Sequence, residues 1–488
     1  MRALAAAALS ALVAGCGGSD GNFHLTLTRS PIVAEDPLAG VDTIELRLSE
    51  RDGTTEVRKL PVASRAATSL VARLPPFGDG TRLTVAALAG GRVVAAGHSP
   101  PLVANAHAAT VYLGLVNQFS ATPTAPPLGD ARFDASTTLL ADGRVLIVGG
   151  ATRGAPRSPD PSSLSDAVTI YDPVSGRFSD VGGGSFQPRI FSGVVATPDG
   201  GALIAGGLGS FGGGFDNLFR FDPAGTLTPL SGLAGPRFAA AAVALADGSL
   251  LLVGGYGAST SAPATDALII KDDSATSIAL PAPRAFASAA MLAGGDVLVT
   301  GGLDGNGNPL DDAIVYSGGA FVALAPTGDA RATMLAARVG HSTTLLGDGA
   351  ILVYGGSDGN GSLALPELYR PELGGFITVG PFDLQPRERH DAVALADGSV
   401  LLFGGEAAPP PNGTPLPVQQ LLRAVPRAGS VDLLLDFPAT PLRADAAGLL
   451  LADGSIFYAE GAVGEARTLA GGAQLLVPCF DDCLLPSP

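Results

Sequence analysis

The sequence predicts an all-β protein: a seven-bladed β-propeller preceded by a small β-sandwich. Three observations lead there. A ten-residue unit, Ala-Asp-Gly-Ser-Val-Leu-Leu-Phe-Gly-Gly at 396–405, recurs with small changes at 141–150, 198–207, 246–255, 293–302 and 347–356. A degraded seventh copy lies at 452–461, where Glu460 replaces the first closing glycine. Asp-Gly supplies the positive φ angles of a tight hairpin turn, the apolar run reads as a buried strand, and the glycine pair lets backbones crowd together. One arginine precedes each unit: Arg132, Arg189, Arg237, Arg284, Arg338, Arg389 and Arg443. Lastly, 67 glycines and 39 prolines stand beside only 15% charged residues and 3 methionines, a mixture for many short strands joined by turns rather than for helices.

Taken in order, the chain opens with Met1-Arg2 and an apolar run over 3–13, the charged start and short core of a secretory leader. That run is too short to span a bilayer as a helix. It ends in Leu12-Val13-Ala14-Gly15-Cys16, which resembles the bacterial lipobox. The resemblance implies cleavage after residue 15, lipidation of Cys16 and, with glycine rather than aspartate at 17, the outer membrane. A flexible linker over 16–22 follows. Residues 23–116 then alternate in about seven short strands, the pattern of a small β-sandwich that looks like the immunoglobulin-like or transthyretin-like modules of bacterial surface proteins. His24, His98 and His107 are scattered here without metal-ligand spacing and read as surface histidines.

The repeats occupy 117–478. Behind most glycine pairs come a third strand and another turn, as in Ile170-Tyr171-Asp172-Pro173 through Gly176 to Phe178, and Leu368-Tyr369-Arg370-Pro371 through Gly374 to Phe376. Four strands per period of about fifty residues, seven times over, describe sheets too small to bury both faces alone, which stack as blades in a ring. Arginine, turn, apolar strand, Gly-Gly, Tyr-Asp-Pro and an aromatic together resemble the kelch repeat of the galactose-oxidase-like superfamily. The family's usual tryptophan is absent, since the chain has none. Two segments compete to close the ring: 115–121 around Phe119 as the outermost strand of the last blade, or 466–470 and 473–477 from the C-terminal side. The tail, 479–488, holds Cys479 and Cys483, read as a small local disulfide in an exported protein.

Candidate chemistry is sparse. There is no Gly-x-Ser-x-Gly elbow, His-Glu-x-x-His pair or phosphate loop. Kelch-type propellers include copper oxidases, whose site needs tyrosines, histidines and a thioether cysteine. The blades here contain only His341 and His390 and no cysteine. Asp304, Asn306 and Asn308, and likewise Asp358 and Asn360, place oxygen ligands at alternate positions. These are either calcium loops or polar turns that use these residues for their φ tolerance. No other cofactor is expected. The seven arginines also carry two readings. By resemblance to kelch propellers that capture acidic peptides, they ring the channel mouth and hold carboxylates or anionic sugars, with His341 and His390 as further candidate ligand-binding residues. Alternatively, each bonds carbonyls of a neighbouring blade or a turn aspartate.

The formal net charge of −16 argues against nucleic acid as a partner. The resulting expectation is a monomeric, non-enzymatic lipoprotein of the bacterial envelope, periplasmic or surface-facing, anchored to the membrane through Cys16. Its propeller face would recognise a protein or glycan. The alternative is a carbohydrate or sugar-acid enzyme of epimerase or lyase type working at the channel mouth.

Overall fold

A computed structural model describes residues 22–478, apart from short segments at 31–34, 51–54, 63–68, 124–131, 156–157, 182–185, 261, 272–273, 381–382, 409–414, 437–445, 460–461, 464–467 and 470–472. Cys16, Cys479, Cys483 and Arg443 lie outside the described residues. Among those described there is no α-helix, and the all-β expectation holds.

Two sheets form the N-terminal sandwich. One contains Thr55–Pro61, Thr43–Ser49, Arg82–Ala89, Arg92–His98 and Gly114–Leu115; the other contains Ser69–Arg73, Asn22–Thr28 and Ala108–Tyr112. Period-two alternation decides which side chains face inward. In Thr43–Ser49 the inner residues Ile44, Leu46 and Leu48 join Leu25, Leu83, Val85 and Val111 in one buried core. Each such side chain contributes roughly 1.5–3 kcal/mol by leaving water. The segment 108–115 divides at Leu113 and serves both sheets. Gly114 permits the crossing, because a Cβ there would stand 2.9 Å from the Tyr112 ring and 3.0 Å from Val477.

Seven four-stranded antiparallel blades follow, each running from the channel outward. Blade one is Ser136–Leu139, Val145–Val148, Val168–Asp172 and Arg177–Asp180; blade two is Gly193–Ala196, Ala202–Ala205, Leu218–Phe221 and Leu227–Pro229. Blade three is Ala241–Ala244, Leu250–Val253, Asp266–Lys271 and Ser274–Ala279; blade four is Ser288–Met291, Val297–Thr300, Leu310–Ser317 and Ala320–Ala323. Blade five uses Thr333–Leu345, Ile351–Ser357, Glu367–Arg370 and Gly375–Thr378, and its long inner strand also pairs with blade four through Leu310 and Arg338. Blade six is Asp391–Ala394, Val400–Phe403, Leu421–Arg427 and Ser430–Asp436.

Blade seven takes strands from both ends of the propeller. Ala447–Leu450, Ile456–Ala459 and Gln474–Leu476 are capped by Phe119–Ala121, with Phe119 opposite Leu476 and Ala121 opposite Gln474. The two segments that competed for ring closure therefore cooperate: the C-terminal one is the third strand and the N-terminal one the outermost. Aromatic packing reinforces the join. Phe119 lies 4.8 Å from Tyr458, and Tyr171 of blade one stacks on Phe457 at 4.7 Å.

The repeated Asp-Gly turn differs from the expectation that Asp and Gly both supply positive φ angles. Three residues lie between paired positions, as where Leu140 N–H donates to Arg144 O and Gly143 N–H to Leu140 O, and only the glycine is left-handed. This is a type I turn closed by a glycine bulge. The aspartate accepts the amide two residues on, for instance Arg144 N–H to Asp142 Oδ1 at 3.0 Å and Ser399 N–H to Asp397 Oδ1 at 2.9 Å. It thus fixes the turn through its side chain, which explains Asp without requiring it to adopt a positive φ.

Five of the Gly-Gly pairs join adjacent blades among the described residues. Gly150 N–H donates to Arg189 O at 2.9 Å, and Gly207, Gly255, Gly302 and Gly356 repeat the bond to Arg237, Arg284, Arg338 and Arg387. At Gly206 a Cβ would run into the Arg237 carbonyl oxygen, so the contact demands the residue that lacks one.

Candidate functional site

The repeat arginines sit where each blade begins, and their guanidinium groups turn into the wheel. Arg132 Nη1 donates to Gly149 O at 2.8 Å, Arg189 Nη1 to Gly206 O at 2.8 Å and Arg338 Nη1 to Gly355 O at 3.0 Å. Arg284 reaches Gly301 O, and Arg237 pairs with Asp266 at 2.9 Å. A residue at the third strand completes each site: Asn217 for Arg189, Asp312 for Arg284 and Glu367 for Arg338. Arg132, Arg189, Arg237, Arg284 and Arg338 are all at most 7% exposed. The expected cationic ring at the mouth is corrected for these five: their guanidiniums serve carbonyls and third-strand side chains within the blades. Burial pulls Arg189 down to about 10 and also lowers Arg338, where Glu367 works the other way.

Blade six corrects the register as well. Its structural arginine is Arg387, whose Nη1 reaches Gly404 O and whose Nη2 donates to Gln420 O at 2.8 Å. Arg389, chosen from sequence, lies two residues further on. It pairs with Glu406 beside the channel.

His341 and His390 stand three residues after Arg338 and Arg387 and staple neighbouring blades. His341 Nε2 bonds Thr300 Oγ1 of blade four at 2.8 Å, and His390 Nε2 bonds Ser342 Oγ of blade five at 2.9 Å. Burial, then the charge of Arg338, pushes the His341 imidazole down to about 3; burial, then Arg387, holds His390 well below its ordinary value. Both rings are neutral at physiological pH.

The residues that reach the channel are the ones two past each arginine. Asp134, Phe191, Ala239, Phe286 and Arg389 have φ between 52° and 56°, and Gly340 has 70°. A left-handed backbone costs a non-glycine residue about 1–2 kcal/mol, yet five of these six positions carry a side chain. Hydrogen bonds from Ala239 N–H to Phe191 O at 3.2 Å, Phe286 N–H to Ala239 O at 3.0 Å and Arg389 N–H to Gly340 O at 2.8 Å link successive blades as a belt.

Above the belt lies a chamber of about 580 Å³ lined by Phe191, Phe238, Tyr256, Phe286, Leu303, Val339 and Glu388, among others. Below it, a second chamber of about 310 Å³ is lined by Asp134, Ser192, Ser288, His341 and Arg389. Phe191, Phe286 and Val339 border both. Leu208, Tyr256, Leu303 and Ser357 directly follow glycine pairs, so the upper chamber opens on the face opposite the Asp-Gly turns. The sandwich docks on that turn face: a crevice of about 270 Å³ joins Leu102 and Tyr112 to Asp142, Gly143 and Asp453. The mouth therefore opens away from the sandwich. None of its aromatic residues was singled out from sequence; the available signal was the phenylalanine two residues after Arg189 and again after Arg284.

The Asp/Asn loops border this mouth through Gly307, Gly359 and Gly361. Asp304 Oδ1 accepts the amides of Asn306 and Asn308, both at 2.8 Å, and Asp358 Oδ1 accepts that of Asn360 at 2.8 Å. Amide bonds, chiefly from Asn308, lower the Asp304 carboxyl below its ordinary value. These carboxylates accept amides of their own loops, the bonding of the polar turns that were one of the two readings.

No protein-family model matches the chain, and no curated protein matches it. Among solved structures it is similar to one described as a novel fungal alcohol oxidase with catalytic diversity among the AA5 family, in complex with copper. The TM-score is 0.56 at 17% identity, covering 76% of this chain and 79% of that one. The likeness is one of fold. The side chains here do not fit that protein's metal. The two blade histidines are engaged between blades, Tyr171, Tyr354 and Tyr458 are buried in the wheel, and no three His, Cys, Asp or Glu side chains converge among the described residues.

Proposed function

We propose that this chain is a non-enzymatic recognition protein of the bacterial envelope, tethered through a lipidated Cys16, whose upper propeller mouth holds a group of a protein or glycan. One observation carries the reading: Phe191, Phe238, Tyr256 and Phe286 converge on a single chamber that faces away from the sandwich. Concave, aromatic-lined sites with a few polar groups are where ligands bind, and loops on a rigid scaffold are where function concentrates. The fold likeness to an oxidase supplies the alternative, an enzyme acting on sugars at the same mouth. Against it, among the described residues Arg338 and Arg387 are engaged with carbonyls and both histidines with hydroxyls, so these groups are not poised at the chamber as an acid–base pair.

Retention on glycan and peptide arrays tests the reading. The Phe286→Ala variant is expected to lose at least about tenfold in binding, the cost of one well-packed aromatic anchor, with its melting temperature nearly unchanged. Retention equal to wild type would overturn the assignment of the mouth, and chemical turnover of a retained glycan would favour the enzyme.

A further inference from the structure

We infer that the upper chamber takes an uncharged aromatic or branched aliphatic side chain, carried on a basic stretch of a protein partner, rather than a sugar; this rests on the mouth being the binding site. The chamber wall is the first ground. Carbon dominates it, with Phe191, Leu208, Phe238, Phe286, Leu303 and Val339 among its residues. The polar side chains on the wall are Tyr256, Thr260, Ser357 and Glu388. Two of these are engaged: Ser357 Oγ accepts the Gly359 amide at 3.2 Å, and Glu388 Oε1 accepts Ser362 Oγ at 3.1 Å. A sugar ring carries a hydroxyl on most of its carbons and would leave several unmatched against such a wall, which weakens binding. An apolar side chain needs no partner there and gains by leaving water. The chamber of about 580 Å³ takes one whole.

The rim supplies two further grounds. Phe211 is wholly exposed. It stands at the tip of a hairpin that starts from Leu208, a chamber residue, where Leu208 pairs with Gly214 and Gly209 N–H donates to Gly213 O at 2.9 Å. A second apolar contact is thus offered on the same rim, which a polypeptide meets with a further side chain. Blades four and five supply charge. Their loops at 303–309 and 357–362 border the chamber through Gly307, Gly359 and Gly361 and contain no Lys or Arg. Asp304 and Asp358 accept amides of their own loops, and among the described residues neither is in an ion pair. The Asn308 amide, above all, holds the Asp304 carboxyl below its ordinary value, so it is anionic at neutral pH. Two carboxylates on the rim, in a protein of net charge −16, favour Lys or Arg beside the seated side chain and repel an acidic segment. An apolar centre inside a polar rim is the anatomy of a protein interface.

The test titrates the full-length protein, by calorimetry or fluorescence polarisation, with three end-capped peptides: Ser-Lys-Phe-Lys-Ser, Ser-Lys-Ser-Lys-Ser and Ser-Glu-Phe-Glu-Ser. The first is expected to bind at least about tenfold more tightly than either of the others, through its apolar anchor in one comparison and its charge in the other. Added salt should narrow the gap between the Lys and Glu peptides. Asp304→Asn together with Asp358→Asn keeps the acceptors of both loops. It should bring those two peptides to within about twofold while preserving the preference for Phe over Ser. Should the double variant disturb folding, the salt dependence of the wild-type protein decides the charge claim by itself. Equal affinity for the Phe and Ser peptides, or a Lys–Glu gap that is absent or insensitive to salt, would overturn the inference. Phe286-dependent retention of glycans on the arrays, with all three peptides unbound, would overturn it too and leave the mouth standing as a binding site. If arrays and peptides are both silent, the binding reading falls with it.

Discussion

Two layers of the propeller, two residues apart in every repeat, have opposite characters. The arginine layer is buried and matched by its partners. In blade two, Arg189 bonds Gly206 O and the Asn217 amide and lies 4.2 Å from the centre of the Phe186 ring; in blade five, Arg338 meets the fully buried carboxylate of Glu367. The belt two residues later is backbone-strained and faces open space. Recurrence is strongest in the layer that holds the ring together. Variety, from Asp134 through Phe191 to Arg389, lies where the chain meets the channel. A repeated residue in such a wheel therefore marks structure, and the variable neighbour marks the place to look for a ligand.

The sharpest way to break this contrast is Glu367→Gln. The carboxylate accepts from Arg338 at 2.6 Å, from Arg331 and from Leu335 N–H at 2.8 Å. Removing it leaves buried guanidinium charge uncompensated, so a loss of about 3–5 kcal/mol is expected by denaturant unfolding. A loss below about 1 kcal/mol would show that the arginine layer is not structural.

An intermediate effect should come from acid. His341 titrates near 3 in the folded protein and His390 well below its ordinary value, whereas the unfolded chain takes up these protons near pH 6.5. Their contribution is complete above pH 6.5 and is lost as pH falls towards 3, on the order of 1 kcal/mol per pH unit for each histidine. Unfolding curves from pH 7 to 4 should show this slope, and His341→Gln should flatten it. An unchanged slope in the variant would contradict the buried neutral imidazole.

The smallest effect is expected in the belt. Ala239 holds a φ of 53°, and Ala239→Gly removes that strain at the cost of some chain entropy. The expected gain is up to about 1 kcal/mol, read as a small rise in melting temperature. A clear loss would mean that the methyl group packs more tightly than its 7% exposure implies.

Much of the fold was legible because the Asp-Gly turn, the apolar strand and the glycine pair are local signals that recur. The arginine of blade six was misplaced because Arg387-Glu388-Arg389-His390 offers two choices. Spacing resolves them: Arg132, Arg189, Arg284 and Arg338 each lie 17 residues before their glycine, as Arg387 does and Arg389 does not. The mouth was illegible for a physical reason. Phenylalanine, alanine and arginine in left-handed backbone carry no sequence signature, since ring closure rather than residue preference imposes that conformation. The aromatics of the chamber come from different blades, and only the closed ring brings Phe191 of blade two to Phe286 of blade four.

The strand Phe119–Ala121 has a mechanical consequence. It clasps the last blade from the N-terminal side, through three residue pairs, only a few residues beyond the sandwich strand Gly114–Leu115. Tension applied through residue 22 must cross the sandwich before it reaches that clasp. The N-terminal module can thus act as a strain relief, yielding ahead of the wheel and keeping the seam shut under load.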